Sequence, residues 1–100
     1  MSESKFLHIG TITLRDDVTD EQRKAFVEGL RGFDGAIPSL RSIQVFEDLG
    51  LSEGNGDIVF IATFDDEQGW REYSVDETHV SLVKKLIPAI AHKVFVQAKA

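Results

Sequence analysis

Residues 40–64, LRSIQVFEDLGLSEGNGDIVFIATF, decide the fold. "LRSIQVFED" begins a strand in which Ile43 and Val45 alternate with Gln44 and Phe46, and "DIVFIATF" (57–64) is a β-rich run that is apolar on both faces. Between them "LGLSEGNGD" carries glycines at 50, 54 and 56, which suit turns of positive φ. Two strands joined this way make a hairpin. The chain on either side of it is helical. Upstream, "VTDEQRKAFVEGLRGF" offers Thr19 as a helix cap with Gln22 three residues on as its capping-box partner, and Asp20 and Glu21 sit where a helix N-terminus favours negative charge. Phe26, Leu30 and Phe33, at i, i+4 and i+7, give this helix a buried stripe, and Gly35, Pro38 and Ser39 end it before the hairpin. Downstream, a second helical region opens near Asp66, carries Trp70 and Tyr73 on one face, breaks around Ser74-Val75 and restarts at Asp76 towards Pro88. "FLHIGTITL" (6–14) and "HKVFVQAK" (92–99) are the outer strands.

The element order is therefore β-α-β-β-α-β. It predicts an α+β, ferredoxin-like fold: a four-stranded antiparallel sheet with both helical regions on one face. One hundred residues fit one domain, residues 1–100. The strands, however, are apolar on both faces: Ile58, Phe60, Ala62 and Phe64 against Val59 and Ile61, and Val94 and Val96 against Phe95. Helices cover one face only, so the other predicts a homodimer in which two sheets pack against each other. A net charge of −6 disfavours nucleic-acid backbones and anionic membranes as partners, since both select clustered Lys and Arg. The absence of cysteine removes disulfides, thiolate metal sites and thiol nucleophiles. With no basic n-region before an apolar core and no apolar run near 18 residues, the chain reads as a cytoplasmic protein.

Two residues of "REYSVDETHV" (71–80) are candidates for chemistry. If Asp76 caps the second half of the helical region, His79 is its third residue and begins the series His79, Leu82, Val83, Leu86, Ile87, Ile90, in which every other member is aliphatic. The period turns the imidazole towards the sheet, where it is either a buried histidine with a satisfied hydrogen bond or a catalytic group. Tyr73 lies three residues after Trp70 and is open to the same two readings, as an aromatic packing partner or as a hydroxyl sharing a cavity with His79. His8 shares a strand face with Phe6, Gly10, Ile12 and Leu14. The missing side chain of Gly10 either leaves a vacancy for a ligand or marks a bulge or a close helix approach. His92 reads as a solvated strand-edge residue. The three histidines lack a short ligand spacing, so no metal is expected; the glycines of the hairpin loop precede a strand rather than a helix and do not cradle phosphate.

The segments "FLHIGTITL", "DDVTDEQRKAFVEGLRGF…IPSLRSIQVFED", "FDDEQGWREYSVDETHVSLVKKLIP" and "HKVFVQ" together resemble the stress-responsive dimeric α/β-barrel (Dabb) family over nearly the whole chain. The resemblance implies two sheets paired as a barrel-like dimer. Among members of known role the chain is similar to plant polyketide cyclases, which work without a cofactor through a Tyr and a His placed like Tyr73 and His79. It further implies a pocket histidine at His8 and apolar walls at Phe26, Leu30, Ile43 and Phe60, carried over from the cyclases; Gly10 and Ile12 on the strand face of His8, and Leu82 on the helical stripe of His79, complete the expected substrate pocket. Where the family commonly shows His-Pro-x-His, this chain has Asp76-Glu77-Thr78-His79 and keeps only the last histidine. Asp76 and Glu77 suit a helix start. The expected activity is cofactor-free acid–base chemistry of the cyclase or lyase type on a small hydrophobic carbonyl or aromatic ligand. The competing expectation is a non-catalytic ligand-binding or stress-associated dimer, because relatives with no assigned chemistry share the same fold.

Overall fold

A computed structural model describes residues 5–100. The elements run β1 (Phe6–Leu14), α1 (Asp20–Arg31), β2 (Ser42–Glu47), β3 (Ile58–Phe64), α2 (Glu67–Val75), α3 (Glu77–Leu86), a single 3-10 turn (Ile87–Ala89) and β4 (Ile90–Lys99). All pairings in the sheet are antiparallel and the strand order is β2-β3-β1-β4, so the two central strands are β1 and β3. This is the ferredoxin-like arrangement expected from the element order.

Local signals hold where they have a partner. The Thr19 backbone N–H donates to Gln22 Oε1 at 2.9 Å and the Gln22 N–H donates to Thr19 Oγ1 at 3.1 Å, a complete capping box. In the hairpin loop Gly50 and Gly54 take φ of 75° and 83°, but Gly56 does not adopt positive φ. The last strand starts at Ile90, two residues before His92, because Pro88 sits in the 3-10 turn and the chain turns directly into the sheet. Opposite that start the β1–β4 register shifts between Thr13 and Leu14. The Leu14 N–H donates to the Asp57 carboxylate at 2.7 Å, and the Asp57 N–H donates to the Ile12 carbonyl at 2.8 Å. The irregularity thus keeps its backbone groups satisfied.

The register sorts side chains into rows that cross all four strands. On the helix-covered face run Val45–Phe60–Gly10–Phe95 and Ile43–Ala62–His8–Gln97. On the opposite face run Phe46–Val59–Thr11–Val94 and Gln44–Ile61–Ile9–Val96. The core lies between the helix-covered face and α1, with Phe26, Val27 and Leu30 of α1 closing on Ile12, Val45, Ile58 and Phe60. Among the described residues nothing covers the opposite face, and Val94 and Val96 are each 55% exposed. Among the described residues no helix is long and apolar enough to cross a membrane.

One feature of the helical layer creates space. Tyr73 is the only buried residue of α2, and α3 has none. The α3 helix therefore stands off the sheet rather than pressing onto it, and a cavity remains beneath.

Candidate functional site

The cavity has a volume of about 280 Å³ and lies between the helix-covered face of β1, β3 and β4 and the helices above it. Its lining is mostly apolar, with a few polar atoms. It brings together His8, Ile12, Phe26, Leu30, Phe60, Tyr73 and His79 from the residues singled out in the sequence. Three others lie elsewhere. Ile43 is two strands from His8 along its row, in the core. Leu82 turns to the other side of α3, where its methyl groups lie against Gly29 of α1 and line a separate groove between those helices. Gly10 holds no vacancy: a Cβ there would collide with the rings of Phe60 and Phe95, which stand 5.6 Å apart between centroids above it. The glycine exists for those two rings to close.

His79 is placed by an unusual junction. Asp76 ends α2 and begins α3 by itself, with φ −61° and ψ 134°. Its N–H donates to the Tyr73 carbonyl at 3.2 Å, and its carboxylate accepts from the Thr78 N–H at 2.8 Å. This is the capping role that the sequence assigned to it. Three residues into α3, His79 Nδ1 reaches back 3.3 Å to the Ser74 carbonyl, one of the last carbonyls of α2. A carbonyl only accepts, so Nδ1 carries the ring proton and Nε2 keeps the lone pair. Burial lowers the pKa of His79 from its ordinary value, and this outweighs the Ser74 carbonyl and the Asp76 carboxylate, which raise it. The imidazole is neutral at physiological pH, with a free basic nitrogen.

Tyr73 is 3% exposed and its ring lies 4.1 Å from that of His79, tilted by 41°. Edge contacts to Phe33 and Phe64 at 5.9 and 5.1 Å hold the ring. Burial alone raises the phenol pKa well above its usual range, so the hydroxyl stays protonated and can donate.

His8 is 7% exposed and sits edge-on to Phe60 and Phe95, each 5.2 Å away. The Gln97 side-chain amide donates from Nε2 to His8 Nδ1 at 2.9 Å. Burial first, and the proximity of His79 second, lower the His8 pKa to about 4. At the sheet end of the cavity Lys93 contributes, among the described residues, the one formally charged side chain of the lining, its Nζ lying 5.2 Å from the centre of the Phe95 ring. His92 is exposed on β4, as expected. Among the described residues no three His, Cys, Asp or Glu side chains gather to hold a metal ion.

The lining also includes Phe33, Trp70, Ser74, Val83, Phe95 and Gln97, which the sequence did not assign to a site. Phe33 and Val83 were legible as members of buried stripes. Phe95 and Gln97 become visible only through the β1–β4 register, which sets them opposite Gly10 and His8.

Comparison with known proteins agrees with this architecture. A dimeric ferredoxin-like protein of unknown function from Thermobifida fusca superposes with a TM-score of 0.87 at 30% identity, covering 100% of this chain and 94% of that one. A Dabb family protein from Mesorhizobium loti gives a TM-score of 0.81 at 15% identity over 96% of each chain. A hydroxynitrile lyase from Passiflora edulis gives 0.86 at 13% identity over 96% of this chain and 93% of that one, which at this identity is a likeness of fold. No curated protein matches the chain. The family model for the stress responsive A/B barrel domain matches residues 6–98, and the chain belongs to that family, Dabb.

Proposed function

We propose that this protein is a homodimer whose helix–sheet cavity binds a small hydrophobic ligand bearing a carbonyl or aromatic group and performs cofactor-independent acid–base chemistry on it. The observation that carries this reading is the tautomer of His79. With Nδ1–H held by the Ser74 carbonyl, the basic nitrogen is Nε2, on a ring 4.1 Å from that of Tyr73, whose hydroxyl is protonated, at the wall of a mostly apolar cavity. A base with a lowered pKa, next to a donor that cannot ionise, suits removal of a proton from carbon beside a carbonyl, with the hydroxyl stabilising the enolate oxygen. The volume fits the ligand class: about 280 Å³ is nearly twice the roughly 150 Å³ that admits a benzene ring, room for one ring with a short substituent.

The dimer rests on the uncovered face. Phe46, Val94 and Val96 lie there at 49–55% exposure in rows that also carry Val59, Ile9 and Ile61, an apolar surface that a second copy would cover. The Thermobifida relative is itself dimeric.

The packing of Tyr73 among aromatic rings favours a second reading, a binding pocket without turnover. One experiment separates them. Acetophenone in D2O reports base catalysis as exchange of its methyl protons, read by NMR alongside light scattering of the protein at micromolar concentration. The catalytic reading expects accelerated exchange by a dimer, reduced about 10²–10⁴-fold in His79→Gln with the dimer retained. Binding with no acceleration supports the pocket alone. Acceleration that survives His79→Gln removes the histidine from its role, and a wild-type monomer removes the dimer.

A further inference from the structure

His8 and Gln97 are separated by 89 residues, yet stand directly opposite each other on β1 and β4, on the helix-covered face. The 2.9 Å contact joins the Gln97 amide nitrogen to His8 Nδ1. In this orientation the amide presents its N–H, which pairs with a lone pair on Nδ1 and places the single proton of a neutral imidazole on Nε2. His79 shows the reverse: its Nδ1–H faces the Ser74 carbonyl and its Nε2 is bare. The two contacts thus assign opposite tautomers to the two imidazoles that line one cavity. Buried imidazoles choose their tautomer from the partner they are given, and here the choice for His8 is made by a neutral residue at position 97. A carboxylate there would accept from Nδ1–H and leave Nε2 bare.

We propose that Gln97 is a positioning residue that presents His8 Nε2–H to an acceptor oxygen of the ligand, so that one histidine gives a hydrogen bond while His79 takes a proton. This rests on the reading of the cavity as a ligand site, and it sharpens the ligand class: a carbonyl oxygen meets the His8 side of the cavity, and the acidic hydrogen beside that carbonyl meets His79. The division also keeps the two imidazoles from competing for one proton. Burial and the neighbouring His79 both disfavour protonation of His8, in keeping with a donor that remains neutral. Among the described residues the other ionisable side chains that line the cavity are Tyr73 and Lys93, and neither is a carboxylate that would favour a charged His8.

The test is direct observation of the ring nitrogens. In 15N-labelled protein, two-bond proton–nitrogen correlation spectra at pH 7 are expected to show His8 with a protonated Nε2 and a bare Nδ1. Gln97→Glu is expected to invert that pattern. Gln97 is exposed on an edge strand and the change conserves side-chain length, so the fold is retained; a wild-type spectrum with the proton on His8 Nδ1 overturns the proposal even without a variant. Ligand binding is read with two probes of similar shape, acetophenone and ethylbenzene. Wild type is expected to favour acetophenone about tenfold, the cost of leaving a buried donor unmatched, and Gln97→Glu to lose that preference. Equal affinity for both probes in wild type overturns the donor role. Failure of both probes to bind, with the tautomers as expected, overturns the ligand-site reading of the cavity and is distinguished from the first failure by the spectra alone.

Discussion

Acidification should weaken the fold through His8, by an amount that follows from its burial. The ring titrates at about 4 in the folded protein against its ordinary 6.5, because it lies among Phe60, Phe95 and Trp70 and faces His79. Between those values the unfolded chain binds the proton and the folded chain does not. The stabilisation is thus fully present above pH 6.5 and is lost as pH falls through 4. Integrating between the two pKa values gives a loss of about 2 kcal/mol on going from pH 7 to pH 5, an upper value because water in the cavity shields the charge. This window matters because ordinary carboxylates stay largely ionised throughout it. The perturbation is His8→Gln, which removes the titration, and the assay is urea unfolding of wild type and variant at pH 7, 6 and 5 at one protein concentration. His79 titrates in both proteins, so its contribution largely cancels in the difference. The gap between the two midpoints should change by about 1 M urea across the range, in the sense that wild type loses more. Midpoints that fall in parallel would refute the reasoning, because the ring would then gain its proton without cost and could not be buried as described.

Two further outcomes follow from the packing around the cavity. Gly10→Ala should cost about 1–3 kcal/mol in thermal or urea unfolding, because its Cβ enters space held by the rings of Phe60 and Phe95 and both must move; a cost below about 0.5 kcal/mol would mean that the rings have room. Tyr73→Phe should leave stability within about 0.5 kcal/mol, since the hydroxyl gains nothing from the protein, whereas Tyr73→Ala should cost about 3–5 kcal/mol by removing the ring that Phe33 and Phe64 pack against; a large loss in Tyr73→Phe would reveal a structural hydrogen bond.

The outline of the fold was legible because its signals are local. Thr19 with Gln22 and the restart at Asp76 each involve residues within two helical turns and appear where the sequence set them; Phe26 and Leu30 are buried on α1, but that helix ends at Arg31, capped by Gly32 rather than at Gly35, so Phe33 is buried just beyond it. The inward turn of His79 was legible for the same reason, since a helical period needs no knowledge of the partner surface. What it turns towards was not. The sign of its pKa depended on how burial weighs against the Asp76 carboxylate, and burial is a property of the assembled layers. Gly10 shows the limit most plainly. A strand glycine marks missing volume, but only lateral register reveals that Phe60 and Phe95 flank it and consume that volume. Gln97 lies on a strand that looks exposed from end to end, and nothing within ten residues of it hints at His8. Ile43 and Leu82 had the right hydrophobicity for a pocket wall; their distance from it follows from sheet order and from which side of α3 meets α1.

The junction at Asp76 makes α3 a lever with a one-residue fulcrum. Ten residues of helix are about 15 Å long, so a change of about 10° at that residue's backbone would carry the far end some 2–3 Å, comparable to the width of a methyl group. Tyr73 lies on the helix before that residue, while His79, Val83 and Leu86 lie on the helix after it. The distance between the two rings and the headroom of the cavity therefore both depend on the backbone angle at residue 76, which itself lies outside the cavity lining.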